Sequence, residues 1–399
     1  MEIQLQCSPQ AKSAEIVASI ADLLTEILLR LPTKSVLRFK LVSKRWFYLI
    51  SDPKFCQLLS PNPNPAVGLF LPLSSANSSE DYRCYEYEFV PFNSDKSVEF
   101  IKDHRPSGSR ILQSCNGLML CCNKINVLNN DLEYFVYNPT TKKYFSILPK
   151  PDETNGIWKR IRGINLAYDP VESFHYKIVC VWSFESRQGT DRDSHFQIIV
   201  YSSETQCWRV QSQPFTSSAN FEKGVYWNNA INWIDTVENA ESLYFNVHSQ
   251  TLSKMPRLPL TYSRYCKRDH YFGESCGHLH FIDMRGPQVK LVVHELKRDY
   301  SEWFVKYQVD LSVVAVANPA MASSRGNPMF WCGFVFEVSA VVRGEEDGDS
   351  FLVLQIPGKV VRYNIVRKTF VDLMEFEGGI VGSSLKYPNV GGFQYIHSL

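Results

Sequence analysis

The chain has 399 residues, 44% of them hydrophobic, and its 42 Lys and Arg side chains balance 41 Asp and Glu side chains. This length leaves room for a large core and for two domains, and the balanced charge argues against polyanion binding over the whole surface. We find no signal-peptide pattern and no run of 18 apolar residues, so neither secretion nor a membrane span is predicted. The 11 scattered cysteines favour reduced thiols and an intracellular protein of the nucleus, the cytoplasm or both.

Residues 20–59 have the pattern of four short helices. Apolar residues recur at helical spacing before Pro32, which is predicted to end the first helix. The predicted N-cap residues of the four helices are Asp22, Thr33, Ser43 and Asp52. Pro53 follows the last of these at the first helical position, where proline is favoured.

These helices contain more apolar residues than their own interior needs. From Ile20 to Ile50, 18 of 31 residues are apolar, whereas a surface helix needs only three or four in two turns. Some of these side chains must therefore face another surface. An exposed apolar surface of this kind is typical of a protein interface. The alternative is that the helices pack against the rest of their own chain.

The helical segment is also basic, with seven basic residues and one acidic residue between Arg30 and Lys54. A nucleic-acid-binding module would show such a charge. A helix that reads DNA, however, presents polar side chains to the groove, and these helices are unusually apolar. A basic rim around an apolar patch fits an acidic protein partner better, so we expect no nucleic acid.

The segment SPNPNP marks a change in the character of the sequence. Its three prolines at alternate positions favour an extended, semi-rigid linker. We expect a helical domain at residues 15–60, a linker at 61–65 and a second domain at 66–399. The second domain is predicted to be all-β, because short apolar runs alternate with turn residues and no long helical pattern separates them.

Two sequence phrases recur in this second domain. The first joins two strands through a polar turn and occurs as FVYNPTTKKYFSILP, IVYSSETQCWRV, YFNVHSQTLSKMPRLP and VRYNIVRKTFVDL. The second tends to precede it and occurs as SCNGLMLCC, GVYWNNAINWI and ESCGHLHFI. Spacings of about 40–50 residues suit four-stranded propeller blades. The sequence therefore predicts a β-propeller of six or seven blades, with a pair of β-sandwiches as the alternative.

One short motif resembles a catalytic nucleophile. GESCG, at 273–277, matches the G-x-S-x-G elbow, which requires a strand before Ser275 and a helix after it. The residues that follow, GHLHFIDM, alternate as a strand. We therefore predict that Ser275 lies in a turn and has no catalytic role.

A second group of residues could suggest a metal site, namely Cys266, His270, Cys276, His278 and His280. On a strand the last three would share one face, but the paired spacings of structural zinc sites are absent. We interpret them as ordinary strand residues. No glycine-rich phosphate loop is found, and the acidic run GEEDGDS is interpreted as a hairpin tip. We expect no catalytic, metal-binding or cofactor-binding residues.

Residues 20–56 resemble the F-box of plant F-box proteins, through ILLRLP, KSVLRFK, VSKRW and ISDPKF. The remainder resembles the F-box-associated, propeller-like domain of the same families, through SCNGLMLCC, YNPTTKKYFSILP, GINLAYDP, YSSETQCWRV, GVYWNNAINWI and YFGESCGHLHFID. Together the two resemblances cover nearly the whole chain. They imply a small all-α F-box unit followed by a large kelch-like β-propeller.

In that family the F-box docks on the SKP adaptor of a cullin-RING ubiquitin ligase, and the second domain holds the substrate. The resemblance implies a non-catalytic substrate-recognition subunit that needs no cofactor and binds an unidentified protein. The residues that it places at or directly behind the adaptor interface are Leu23, Leu24, Ile27, Leu28, Leu31, Pro32, Val36, Leu37, Val42 and Trp46. The family usually has Leu-Pro before the first helix, and Ile20-Ala21 here removes that rigid start.

Two other functions are kept open. The chain could be a stand-alone propeller enzyme or binding module whose helices pack on its own surface. Such an enzyme would need convergent polar groups with perturbed pKa values at the central channel. The chain could also bind the adaptor but act outside ubiquitylation.

Overall fold

In the computed structural model, the described residues are 20–31, 33–59, 66–73, 86–93, 108–126, 131–147, 159–184, 195–236, 240–260, 270–284, 289–322, 334–376 and 392–396. The predicted linker at 61–65, Pro32 and Cys266 lie outside these ranges. No helix among the described residues combines the length and the apolar character that crossing a membrane requires.

Four short helices come first: α1 (Ala21–Leu29), α2 (Thr33–Phe39), α3 (Lys44–Ile50) and α4 (Pro53–Leu59). Two predicted caps are confirmed. The Ser43 hydroxyl accepts a hydrogen bond from the Trp46 N–H at 3.2 Å, and Asp52 Oδ1 accepts one from the Lys54 N–H at 2.8 Å. These bonds satisfy backbone donors that the first turn of a helix leaves without partners.

The other two predicted caps are wrong by one or two residues. The first helix begins at Ala21 with Ile20 at the N-cap, so Asp22 lies inside the first turn and caps nothing. Its carboxylate there still favours the positive end of the helix dipole. The second helix begins at Thr33 itself.

The helices enclose a small core of their own. Its buried members are Leu24, Leu28, Val36, Ile50, Phe55 and Leu59. The Trp46 ring packs against this cluster, with its centroid 5.1 Å from that of Phe39. Among the described residues, this cluster contains no member of the β-domain, and the clusters of the β-domain contain no residue of α1–α4. These clusters therefore give no support to the alternative in which the helices pack their excess apolar residues against the β-domain.

The described part of the β-domain contains 24 strands. Blade 1 begins with β1 (Gly68–Leu73) and β2 (Glu86–Pro91). Blade 2 contains β3 (Arg110–Cys115), β4 (Leu118–Asn126), β5 (Asp131–Asn138) and β6 (Lys143–Ser146). Blade 3 contains β7 (Lys159–Ala167), β8 (Lys177–Phe184), β9 (His195–Ser202), β10 (Cys207–Val210) and the short β11 (Phe215–Thr216).

Blade 4 contains β12 (Val225–Trp227), β13 (Ala230–Trp233), β14 (Leu243–Asn246) and β15 (Thr251–Lys254). Blade 5 contains β16 (His270–Ser275), β17 (His278–Asp283), β18 (Lys290–Leu296) and β19 (Trp303–Asp310), and it is followed by helix α5 (Ser312–Ala317). Blade 6 contains β20 (Glu337–Val342), β21 (Phe351–Ile356), β22 (Lys359–Asn364) and β23 (Thr369–Glu375). The last strand, β24 (Phe393–Tyr395), returns to blade 1.

The sheets form a six-bladed β-propeller, which confirms the predicted fold class and fixes the blade count at six. Each of blades 2–6 is an antiparallel meander whose first strand is innermost. In blade 1 the inner strand is β24, which pairs with β1 from Gly68↔Tyr395 to Phe70↔Phe393. The ring is therefore closed by hydrogen bonds between the first and last strands of the domain.

Each recurring sequence phrase corresponds to one hairpin. The first phrase forms the hairpin of the third and fourth strands, with a left-handed residue just before the return strand at Lys142, Gln206, Gln250 and Lys368. The second phrase forms the hairpin of the first and second strands, with left-handed pairs at Asn116-Gly117, Asn228-Asn229 and Cys276-Gly277. Two consecutive left-handed residues match the twist of the flanking strands in a two-residue hairpin.

Hydrophobic clusters join the blades in sequence around the ring. Each cluster takes residues from two neighbouring blades, and the six pairs of neighbours all have one. The largest side chains buried in these seams include Trp233, Phe245, Phe281, Tyr363 and Tyr395. The core of the domain is thus a ring of inter-blade seams around an axial cavity.

Candidate functional site

Helix α1 has two neighbouring apolar faces. Leu24 and Leu28 point into the helical core with at most 2% of their surface exposed. Leu23 and Ile27 are each 46% exposed, and Ile20 is 41% exposed. Because successive helical residues are turned by about 100°, the exposed set lies on a face beside the buried one. The helical core therefore uses only half of the apolar side of α1.

The other helices extend this exposed apolar set. We call it the helical apolar surface, and it consists of Ile20, Leu23, Ile27, Leu41, Val42, Phe47, Tyr48 and Leu58. Leu41 is 88% exposed, and the Tyr48 ring is 70% exposed and meets the Phe47 ring edge-on. So many exposed apolar side chains within 40 residues are typical of a surface that binds another protein.

The predicted adaptor-binding residues divide into three groups. Those in the helical apolar surface are Leu23, Ile27 and Val42. Those buried in the helical core are Leu24, Leu28 and Val36, with Leu31 and Trp46 partly buried against it. Pro32 and the side chain of Leu37 lie outside the described residues. Five members of the helical apolar surface were not among the predicted residues, namely Ile20, Leu41, Phe47, Tyr48 and Leu58. Periodicity shows which residues are apolar and not which of two faces turns inward.

The second candidate site is the axial cavity of the propeller, with a volume of about 870 Å³. Its wall includes residues of all six inner strands, β3, β7, β12, β16, β20 and β24. Charged side chains of both signs line it, among them Arg110, Arg162, Glu222, Lys223 and Glu274. The size is that of a small-molecule site.

Glu274 is a carboxyl group of the cavity wall with a clearly displaced pKa. Enclosure in the wall raises the pKa of its carboxyl group from 4.5 to about 7, although the Gly277 N–H donates a hydrogen bond to Oε1 at 2.6 Å. A carboxyl group with a pKa near neutrality in a cavity is a feature of functional sites. In the sequence this residue stands out only as part of GESCG.

The GESCG segment is not a nucleophile elbow, but the prediction that Ser275 lies in the turn is wrong by one residue, because Gly273, Glu274 and Ser275 belong to strand β16. Strand β16 ends at Ser275, and Cys276-Gly277 leads directly into β17. Ser275 is buried, and its hydroxyl accepts a hydrogen bond from the Arg343 N–H at 3.0 Å. A serine that fastens blade 5 to blade 6 in this way is not presented on a nucleophile elbow.

The prediction that Cys276, His278 and His280 share one face of a strand is wrong for Cys276. Cys276 lies in the turn, where its thiol faces the Arg343 carbonyl oxygen at 3.3 Å. His278 and His280 share a face, and Glu295 of the next strand lies 2.7 Å from His278 Nδ1 and 3.7 Å from His280 Nε2.

This histidine–glutamate cluster has strongly shifted titrations. Burial opposes the charge of Glu295, but the hydrogen bonds and charges of the two histidines hold its pKa well below the usual range. Burial lowers the pKa of His280. In the described part of the chain, no three His, Cys, Asp or Glu side chains are arranged to hold a metal ion. The acidic run at 344–350 joins β20 to β21, which confirms it as a hairpin tip.

Comparison with known proteins gives two family matches. Residues 21–58 match the F-box domain, and residues 69–274 match the F-box associated beta propeller domain. The chain is 33% identical to the F-box protein At5g07610 of Arabidopsis thaliana, over 92% of this chain and 88% of that protein. It is 26% identical to the F-box protein At4g19940 of the same plant, over 59% of this chain and 58% of that protein.

Among solved structures, the chain is similar to TolB from Acinetobacter baumannii. The TM-score is 0.41 and the sequence identity is 9%, with 83% of this chain and 68% of that chain covered.

Proposed function

This chain belongs to the F-box proteins that carry an F-box-associated β-propeller domain, and on that premise we propose that it is a substrate receptor of a cullin-RING ubiquitin ligase. The helices bind the SKP adaptor, and the propeller holds a target protein. The observation that carries the proposal is the helical apolar surface, which the chain's own core leaves exposed.

The receptor acts by proximity. It holds a lysine of the target near a ubiquitin-charged enzyme bound elsewhere in the assembly and raises their effective concentration. No bond is made or broken by the receptor itself. The assembly acts inside the cell, in the nucleus, the cytoplasm or both.

The size of the apolar surface is consistent with such a complex. Leu23 and Ile27 keep about half of their surface exposed, and burying that half contributes on the order of 1 kcal/mol each. The eight exposed side chains would together contribute on the order of 8 kcal/mol, which is comparable to the association cost of about 4–15 kcal/mol. Leu24, Leu28 and Val36 support the surface from behind, because they fix the packing of the helices.

The proposed organisation is an F-box domain at residues 15–60, a linker at 61–65 and a target-binding propeller at 66–399. Propeller loops on a rigid scaffold are the natural place for target specificity. Identification of the target protein would show which end of the propeller carries this site.

Co-purification with a plant SKP adaptor tests the proposal. Ile27→Glu and Leu23→Glu each place a charge in the helical apolar surface and leave the helical core intact. Val366→Glu is the matched control, since Val366 is 52% exposed and lies in a propeller turn. Leu28→Glu is avoided, because Leu28 is fully buried and the change would unfold the helices.

We expect wild type and Val366→Glu to retain the adaptor and the two α1 variants to lose it. Deletion of residues 1–60 should also abolish binding, with the β-domain still folded by circular dichroism. Failure of folded wild type to bind would refute the receptor proposal. Binding without any adaptor-dependent ubiquitylation of associated proteins would favour a role outside ubiquitylation.

A further inference from the structure

The axial cavity is a site in its own right, separate from the helices. Inner strands of all six blades build its wall, so its shape is fixed by the same contacts that close the ring. Its volume of about 870 Å³ lies within the range of about 300–1,000 Å³ found for small-molecule pockets. A cavity of this size can hold a small organic molecule or an inserted side chain.

The carboxyl group of Glu274 belongs to this wall, near the end of the inner strand β16. The Gly277 N–H donates a hydrogen bond to its Oε1 at 2.6 Å. The Gln394 side chain, on strand β24 of blade 1, donates to the backbone carbonyl oxygen of Glu274 at 3.1 Å and so holds the strand beneath it. One carboxylate oxygen is therefore positioned before any ligand arrives.

The neighbouring charged groups do not neutralise the negative charge of an ionised Glu274. His278 favours its ionised form and Asp169 opposes it. The charge of Glu274 adds to burial in raising the pKa values of Cys115, Cys276 and Tyr271, and none of these groups carries a positive charge. A carboxylate enclosed in this way gains most from a cation that enters the cavity.

We propose that the axial cavity binds a ligand with an ammonium or guanidinium group, with Glu274 as its counter-ion. The group can belong to a free small molecule or to a Lys or Arg side chain of a target protein. The proposal does not depend on adaptor binding. Among the cations of the cavity wall, Arg110 begins β3, Arg162 lies in the first half of β7 and Lys223 precedes β12, whereas Glu274 is the penultimate residue of β16.

Isothermal titration calorimetry of the full chain tests this with charged and neutral probes of equal shape. The free probes are n-butylguanidinium and n-butylurea. The peptide probes are Ac-Gly-Arg-Gly-NH2 and its citrulline analogue. Glu274→Gln keeps an acceptor for the Gly277 N–H, and Glu222→Gln is the control because it neutralises a carboxylate elsewhere in the cavity wall.

At pH 8 we expect wild type and Glu222→Gln to bind the guanidinium probe at least about tenfold more tightly than the urea probe. Glu274→Gln should lose this preference. Binding to wild type should tighten between pH 6 and pH 8 as Glu274 ionises, and binding to Glu274→Gln should not. Preference for the peptide alone would assign the site to a target side chain, and binding of the free probe would assign it to a small molecule. Equal binding of charged and neutral probes, or no binding of either, would overturn the proposal.

Discussion

The closure of the propeller ring makes a quantitative prediction at Tyr395. This residue is 2% exposed in the closing strand β24. Its ring meets the rings of Phe70 and Phe89 edge-on, with centroids 6.0 and 5.8 Å away, and its hydroxyl lies 3.1 Å from Thr140 Oγ1 in blade 2. It therefore joins β24 to β1, β2 and the next blade at one point.

Tyr395→Ala removes the whole buried ring and leaves a cavity. Substitutions of this type lower the free energy of unfolding by about 3–5 kcal/mol. Tyr395→Phe keeps the ring and removes only the hydrogen bond, which is worth about 1 kcal/mol. Tyr144→Ala is the control, because that ring is 59% exposed and its loss should change stability by less than about 0.5 kcal/mol.

The assay is equilibrium unfolding in urea, followed by far-ultraviolet circular dichroism of the full chain. The expected order of stability is wild type, Tyr395→Phe, Tyr395→Ala, with Tyr144→Ala equal to wild type. A loss below about 1 kcal/mol for Tyr395→Ala would show that the seam does not depend on this ring. The inference that β24 holds the domain closed would then be refuted.

Three further outcomes are expected. Leu28→Ala should destabilise the helices by about 2–5 kcal/mol, and Ile27→Ala should do so by less than about 1 kcal/mol. Hydrogen exchange in the full chain measures both effects, and equal effects would contradict the assignment of Leu28 to the buried face and Ile27 to the exposed face. Because the pKa of Glu274 is raised to about 7, its contribution to stability is present below pH 4.5 and lost as pH rises through 7. Glu274→Gln should thus gain on wild type between pH 5 and pH 8.5, by at most about 3 kcal/mol, and a constant difference would refute the shift. Asn232→Ala, which removes bonds to three backbone carbonyls and the Tyr300 hydroxyl, should cost about 2–3 kcal/mol in urea unfolding, and a neutral effect would contradict the network.

Features set by neighbouring residues were the ones that the sequence predicted well. Ser43 and Asp52 cap their helices because an N-cap needs only a side-chain oxygen within reach of the next turn. The blade hairpins were recognisable because each needs a residue that tolerates a left-handed backbone at one position, such as Asn228 or Gly277. The range of six or seven blades stayed open because connections between blades vary in length and blur the repeat.

Features set by distant packing were predicted less well. Leu24 and Ile27 are equally apolar, and only the positions of the other helices decide that Leu24 is buried and Ile27 exposed. Cys276 was placed on a strand because its alternation with the histidines hid the turn. Glu274 gave no signal, since its pKa depends on a cavity that residues from six blades enclose.

The separate helical core has a consequence for regulation by chain length. Because Leu28 and its neighbours form a cluster apart from the blade seams, removal of the helices leaves every described seam of the ring in place. A shortened product that begins at about residue 66 would keep the propeller and lose the helical apolar surface. Under the proposed receptor function, such a product would hold the same target without delivering it, and so would protect that target by competing with the full-length chain. Under the same proposal, the relative amounts of the two forms would set the lifetime of the target.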